Sequence, residues 1–366
     1  MKMLLVSHPS LTAELGAAQI ALHLAAELRA LGHDAAAWSP ELLPPGTRWW
    51  NLWVRQRRAI ERYAREHGPF DLIDTPAISA SAALAREAPL LVRSLQPELH
   101  YLAWAVWGDL RHRLLPSPRA LAHALLSLPR AGAIAAGWRR ARGILCLGGG
   151  ELAWMRRRFP GWAGKLGVYV CAPSEAERSA LAAVRRQRSA PAHGAGIRFL
   201  WMGRWTAHKG TRRLLHFLGG RLASSRDDRF TIAGCGPAAE REVPAEWRHS
   251  GRVHLVPSFA RSELPALLAA HDAGLFTSSV EGWGLSVSEM LESGLPVYAT
   301  EAGAVRDLRP WFPASLRPFP PPARIEPAAP EDLEANGYYQ RFTWRQIARE
   351  YERQVMAFLG AEGSGA

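Results

Sequence analysis

The sequence predicts an α/β protein of two successive halves, each a parallel sheet with crossover helices. Three observations carry this. Strand-like apolar runs alternate with helix-period segments from residue 3 onward, and the alternation restarts at residue 197. The stretch between, 174–196, is charged and then rich in Ala, Pro and Gly, without a strand signal, and reads as an interdomain connection. A chain of 366 residues is also long enough for two cores.

Met1 to Pro9 reads as a first buried strand and Ser10 to Gly16 as a loop. Ala17, Ile20, Ala21, Leu24, Leu28 and Leu31 then recur at helical spacing until Gly32, and Asp34 to Trp38 is a second strand. Strand, loop, helix, strand opens a βαβ unit. Such folds place ligands in the loop after the first strand, which makes Gly16 a candidate for close ligand contact as well as an ordinary turn residue. Residues 49–66 form an aromatic, basic, helix-compatible run, and 71–76 and 89–95 are further strands. Residues 101–142 hold Trp104, Trp107 and Trp138 with seven Arg and one acid, Asp109. Two readings stand: a face that meets a membrane or lipid-linked substrate, or a helical hairpin with core Trp and solvated Arg. Residues 143–148 and 166–173 close the first half.

In the second half Ile197 to Met202 is a strand, followed by a Gly-bounded loop, 203–210, and a helix. Phe230 to Ala233 ends in the Gly-rich GCGP, and Val253 to Pro257 is another strand before a short helix, 264–270. The stretch 310–330 is Pro-rich and reads as irregular. Trp344, Ile347, Tyr351, Val355 and Phe358 form the apolar stripe of a closing helix, and the tail AEGSGA reads as disordered.

Composition narrows the function. Hydrophobic residues make up 48% and charged residues 21%, which fits a packed globular protein. No apolar run is long enough to span a bilayer, and Met1-Lys2 runs straight into a strand, so a cytoplasmic location is expected. Cys146, Cys171 and Cys235 lie far apart without a CxxC pair, so neither a disulfide framework nor a metal site is expected. The formal net charge is +12, and residues 1–171 hold 21 Lys and Arg against 12 Asp and Glu. That favours anionic partners (phosphorylated substrates, anionic lipid or nucleic acid) without choosing among them.

The chemistry is concentrated between Phe276 and Asp307. An apolar run ends at Thr277, Ser278 and Ser279, and Gly282 and Gly284 free the backbone between Glu281 and Glu289. Ser286 with Glu289 fits a capping box that starts a helix ending at Gly294. Strand, Gly-rich turn and helix N-terminus make an anion site. From spacing alone, Glu289 as a mere cap and Glu281 as a solvated turn residue remain equally open. Arg204 and Lys209, in the loop after the strand at 197–202, suit a diphosphate, since one forks and the other neutralises. No GxGK, GxGxxG, GxSxG or HExxH motif supports an ATPase, dinucleotide, hydrolase or zinc-protease reading.

The segments GRWTAHKG (203–210), TIAGCGP (231–237), VHLVPSF (253–259) and 263–297 resemble, in order, the retaining nucleotide-sugar glycosyltransferases of the family 4 type. That family is marked by two glutamates with seven residues between them, and FTWRQIAREYE (342–352) is similar to its closing helix. The first half agrees more loosely, at 3–9, 16–34 and 70–76. The resemblance implies a GT-B architecture, two Rossmann-like domains with parallel sheets facing an interdomain cleft that closes on substrate. It implies residues 1–173 as the acceptor domain, 174–196 as the connection and 197–341 as the nucleotide-sugar domain. Residues 342–366 would be a helix packing back on the first domain, plus the tail. It further implies that Arg204 and Lys209 hold the donor diphosphate, with Glu281 facing the donor sugar. Glu289 would bind ribose, and the amides of Gly284, Leu285 and Ser286 would meet phosphate or sugar.

The activity so implied is metal-independent hexosyl transfer with retention, from a UDP- or GDP-sugar to a glycan, lipopolysaccharide or lipid-linked acceptor. The nucleotide sugar is a co-substrate and no cofactor is expected. Location would be cytoplasmic, with peripheral association at the inner face of the membrane, and no nucleic-acid partner is expected. The first half departs from the family pattern in VRSLQPE (92–98), where Leu95 stands near a customary His, and in CAPSE (171–175). The alternatives are a non-catalytic, basic, Trp-rich protein that binds membrane or nucleic acid, and a phosphorylase on the same fold.

Overall fold

The computed structural model describes residues 1–12, 16–40, 52–111, 118–188, 196–325 and 329–360, with side chains except at 16–17, 107–111, 118–121 and 123. Trp49, the side chains of Trp107 and Asp109, residues 189–195 and the tail 361–366 therefore lie outside the described residues. The chain forms two compact units, Met1–Cys171 with Trp344–Ala366, and Ala172–Thr343.

In the first unit, β1 (Lys2–Val6), β2 (Asp34–Trp38), β3 (Leu72–Thr75), β4 (Leu90–Arg93), β5 (Gly143–Leu147) and β6 (Leu166–Tyr169) form one sheet in the order β2-β1-β3-β4-β5-β6. Every pairing is parallel. Both faces are covered by helices, which is why β1 is almost unbroken in apolar residues: Met3, Leu4, Leu5 and Val6 are buried. One cluster joins Leu4, Val6, Ile73, Val92 and Ile144 of the sheet to Ile60, Ile134 and Trp138 of the helices. Trp138, for which the sequence leaves an interfacial and a core reading open, is 3% exposed and packs edge-on against Phe159 and Trp162. It is a core residue, because its register on Pro118–Arg140 turns it towards the sheet.

The closing helix, Trp344–Gly360, belongs to this unit. His23 of helix Gly16–Ala30 stacks on Trp344. Tyr351 Oη and Arg93 Nε both donate to Asp74 Oδ2, at 2.7 and 2.8 Å. Asp74 and Arg93 are 1% exposed, so each depends on the other for its charge.

The second unit repeats the plan. Strands β7 (Arg198–Met202), β8 (Arg229–Ala233), β9 (Val253–Val256), β10 (Ala273–Phe276), β11 (Val297–Ala299) and β12 (Leu316–Pro318) form a parallel sheet in the order β12-β11-β10-β7-β8-β9. Its core stacks Phe199 on Phe230, with Phe217 edge-on. Strand β12 lies within the Pro-rich stretch expected to be irregular. It is three residues long at the sheet edge, where Pro318 displaces no ladder bond.

The 174–196 stretch also differs from a plain connection. Glu175–Gln187 is a helix opened by a capping box between Ser174 and Glu177. Arg185 donates to Glu292 O, and Arg188 to Ser293 O, His271 O and Leu268 O. Arginines that look solvated in sequence thus satisfy the carbonyl ends of helices Leu264–Ala269 and Leu285–Glu292. Among the described residues no helix is long and apolar enough to cross a membrane.

Buried carboxyls give the fold a pH dependence. Burial, reinforced by nearby Glu151, pushes Glu98 up to about 8. Burial alone pushes Glu151 up to about 7, and in the second unit it pushes Glu292 up to about 8. A folded pKa above the unfolded value means that the folded chain holds the proton more tightly. The stability so gained is complete below about 4.5 and is lost as pH rises through about 7 to 8. Melting temperature is therefore expected to fall between roughly pH 5 and pH 8, the window these shifts define, and Glu98→Gln is expected to flatten that slope. A melting temperature that climbs over this range would contradict it.

Candidate functional site

Strand β7 leads outward to β8 and β9, after which the chain returns to lay β10 on the other side of β7. The loops after β7 and β10 therefore leave the sheet side by side at a topological switch point, where open α/β sheets bind ligands.

Thr277 knits the two loops together. Its hydroxyl accepts from Trp201 Nε1 at 3.0 Å and donates to Lys209 O at 2.8 Å, while Arg213 donates to its carbonyl. The amide of Ser279 donates to His208 O at 2.7 Å. Gly210, at φ +73°, closes the β7 loop so tightly that a Cβ would lie 1.9 Å from Thr277 O. Only glycine fits there. The consequence is chemical: Lys209 Nζ stands 2.5 Å from Glu281 Oε2, which also accepts from Ser278 Oγ at 3.1 Å. Both members of the pair are largely shielded, at 16% and 13% exposed. Arg204, on the same loop, is exposed and makes no ion pair among the described residues. Burial first, then Lys209, pushes neighbouring His208 below its ordinary value, so it stays neutral beside two cations.

Gly284 sits in the left-handed region, at φ +80°, as the N-cap of helix Leu285–Glu292. A Cβ on it would press on Phe276 Cζ at 2.8 Å and Glu281 Cγ at 3.0 Å. Trp283, 2% exposed, donates to Ser288 Oγ and fixes the helix start. The expected capping box is absent. Because Gly284 takes the cap position, Ser286 lies inside the first turn, and no side chain caps the helix. The first-turn amides of Leu285 and Ser286 cannot bond within the helix, so a ligand can take them.

Glu289 is buried and turns to Arg261, whose Nη2 is 2.7 Å from its Oε1. Arg261 also holds Glu177 Oε1, through Nε at 2.9 Å and Nη2 at 2.5 Å. Burial pushes Glu289 above the usual carboxylate value, and Arg261 opposes that push. Burial likewise works against the Arg261 charge, and Glu289 with Glu177 more than offsets it. Arg261 and Glu177 were not singled out in sequence. Their separations, 28 and 84 residues from their partners, follow no local period. Glu177 lies in the stretch that the sequence reads as a connection.

The site thus brings together Lys209, Glu281, Gly284, Leu285 and Ser286, with Arg204 on the same loop as Lys209 and Glu289 a turn deeper. Gly16 belongs to the other unit, at the start of helix Gly16–Ala30. At that unit's own switch point, between β1 and β3, His8 Nε2 lies 2.8 Å from Ser79 Oγ, and burial pushes His8 down to about 4. Among the described residues no group of His, Cys, Asp and Glu is placed to hold a metal ion.

Residues 196–310 match the family described as glycosyl transferases group 1. A curated relative, the uncharacterized glycosyltransferase YqgM of Bacillus subtilis (strain 168), is 28% identical over 113 residues, which cover 30% of this chain. The match spans 32% of that relative's length. Among solved structures, sucrose-phosphate synthase from Thermosynechococcus elongatus matches with a TM-score of 0.72 at 18% identity, covering 98% of this chain and 99% of that one. Anabaena HepE in complex with UDP and glucose matches at 0.58 and 16% identity, covering 97% and 99%. WaaG, a glycosyltransferase involved in lipopolysaccharide biosynthesis, matches at 0.59 and 14% identity over 100% of both chains. These structural likenesses bear out the GT-B fold.

Proposed function

We propose that the chain is a retaining, nucleotide-sugar-dependent hexosyltransferase. The observation that carries this is the Lys209–Glu281 pair at the switch point, flanked by Arg204 and by a helix N-terminus that no side chain caps. In this reading the donor diphosphate takes over Lys209, joins Arg204 and accepts from the amides of Leu285 and Ser286. Glu281, released from Lys209, turns its carboxylate to the hydroxyls of the donor sugar. Glu289 accepts from the ribose hydroxyls while Arg261 keeps it ionised.

The bond from the anomeric carbon to the leaving phosphate oxygen breaks as an acceptor oxygen approaches on the same face. Its proton passes to the leaving phosphate. Two cations and the helix amides stabilise the charge that develops there, so activity is expected to survive EDTA.

The HepE complex with UDP and glucose supports a UDP-linked hexose as the first donor to test. WaaG, involved in lipopolysaccharide biosynthesis, supports a glycan or lipid-linked acceptor, and such an acceptor would place the chain at the inner face of the membrane. A panel of UDP- and GDP-sugars, assayed for release of nucleoside diphosphate with EDTA present, tests the reading. Release from one donor supports it. Inorganic-phosphate-dependent release of sugar phosphate would make the chain a phosphorylase instead.

A further inference from the structure

We propose that the groove between helices Glu98–Arg111, Pro118–Arg140 and Gly148–Arg158 receives one acyl chain of an anionic bilayer lipid. The groove holds about 650 Å³ and is walled by Leu99, Leu102 and Val106 on one side, Leu125 and Leu128 on another, and Trp154 at the third. Arg158 is the one charged side chain lining it among the described residues. Three leucines lie outside the core here: Leu125 is 62% exposed, Leu126 39% and Leu128 66%. Leu125 and Leu128 fall on the same helical face, so they form a ridge beside the groove. Contiguous exposed apolar surface of this kind marks a binding site.

Charge decides the occupant. Arg156, Arg157 and Arg158 are all exposed at the end of the third helix and make no ion pair among the described residues. The two carboxylates of these helices with described side chains point inward. Glu98 faces the backbone of Ala77 and Ile78, and Glu151 accepts from Leu147 N and Ser94 Oγ. On helix Leu52–His67, which packs on the same Ala77–Ser79 turn, Arg55, Arg58 and Arg62 form an exposed stripe. A second copy of the chain would bring like charges together. A peptide would bury backbone donors and acceptors against apolar walls. An acyl chain has no polar group to satisfy, and its anionic headgroup would meet the arginines.

The inference deepens the acceptor side of the proposed function and rests on it for its purpose, since it would bring the chain to a lipid-linked substrate. The test is co-sedimentation of the full chain with phosphatidylcholine vesicles, with and without phosphatidylglycerol. Binding is expected only with phosphatidylglycerol. Leu125→Asp with Leu128→Asp is expected to lower partitioning about tenfold or more, without changing UDP affinity. The triple change Arg156→Gln, Arg157→Gln, Arg158→Gln is expected to weaken binding and its salt dependence. Acyl chains brominated in the bilayer core are expected to quench wild-type fluorescence more than that of Trp154→Phe.

Leucine variants that sediment like the wild type would overturn the groove, leaving surface electrostatics alone. Leucine-dependent dimers that ignore vesicles would overturn the lipid in favour of a second copy. Vesicle binding by a chain that binds no nucleotide would leave this inference standing and remove the glycosyltransferase reading.

Discussion

Lys209→Ala is expected to lower turnover by about two to three orders of magnitude, the usual cost of removing one preorganised stabiliser of transition-state charge. The ammonium is the sole cation within ion-pair distance of Glu281 among the described residues, and on the proposed reading it transfers to the departing diphosphate. Its loss removes charge where charge develops, and it leaves Glu281 with Ser278 as its remaining partner. Glu281→Ala is expected to lose a similar factor by a different route. It frees Lys209 for the diphosphate and removes the acceptor for sugar hydroxyls, so nucleotide affinity should hold while kcat falls. Comparing kcat with UDP affinity in the two variants separates the roles. Full activity in either would sink the assignment.

Arg261→Gln is expected to produce the second-largest effect. Glu289 is buried, and Arg261 is its cation. Removing one partner of a buried pair leaves a charge without compensation, which costs about 3–5 kcal/mol when the pair is fully buried. Arg261 is 27% exposed at its side chain, so a value below that range is expected. Glu289 would respond by taking up a proton. A protonated carboxyl is a poorer acceptor for ribose hydroxyls, so UDP affinity should fall and recover in part at higher pH. Glu289→Gln should lose affinity without that recovery. A purely structural Arg261 would lower the melting temperature and leave the pH profile of UDP binding unchanged. Calorimetric titration across pH distinguishes the two.

These two predictions differ in how far the sequence foreshadowed them. Lys209 and Glu281 each lie a few residues beyond an apolar strand, in loops punctuated by glycine, so their place at strand ends of a parallel sheet is readable from alternation and spacing, whereas the adjacency of β7 and β10 is seen only in the fold. Gly284 was readable as a turn, but its left-handed φ moves the cap to itself and turns the apparent capping box of Ser286 and Glu289 into something else. The carboxylate thereby freed meets Arg261, whose place in the sequence carries no periodic or motif signal. Helix Glu175–Gln187 was hidden for a related reason. Its arginines look like a solvated face, and only the carbonyl ends of two distant helices show what they satisfy. Trp138 illustrates the limit of composition: aromatic residues among arginines suggest an interface, whereas helical register decides which of them faces the sheet. The exposed leucines beside Arg158 are a better marker of an apolar binding surface than the tryptophans are.

The central claim is that the switch point of the second unit binds a nucleoside diphosphate through Lys209 and Arg204. Isothermal titration of UDP and GDP into the full chain, in EDTA, tests it most directly. The account predicts saturable one-to-one binding of one of them, weakened about tenfold or more by Lys209→Ala, as expected for loss of a charge-assisted contact, and weakened again by Arg204→Ala. Absence of binding by either nucleotide, or binding that Lys209→Ala leaves unchanged, would contradict it.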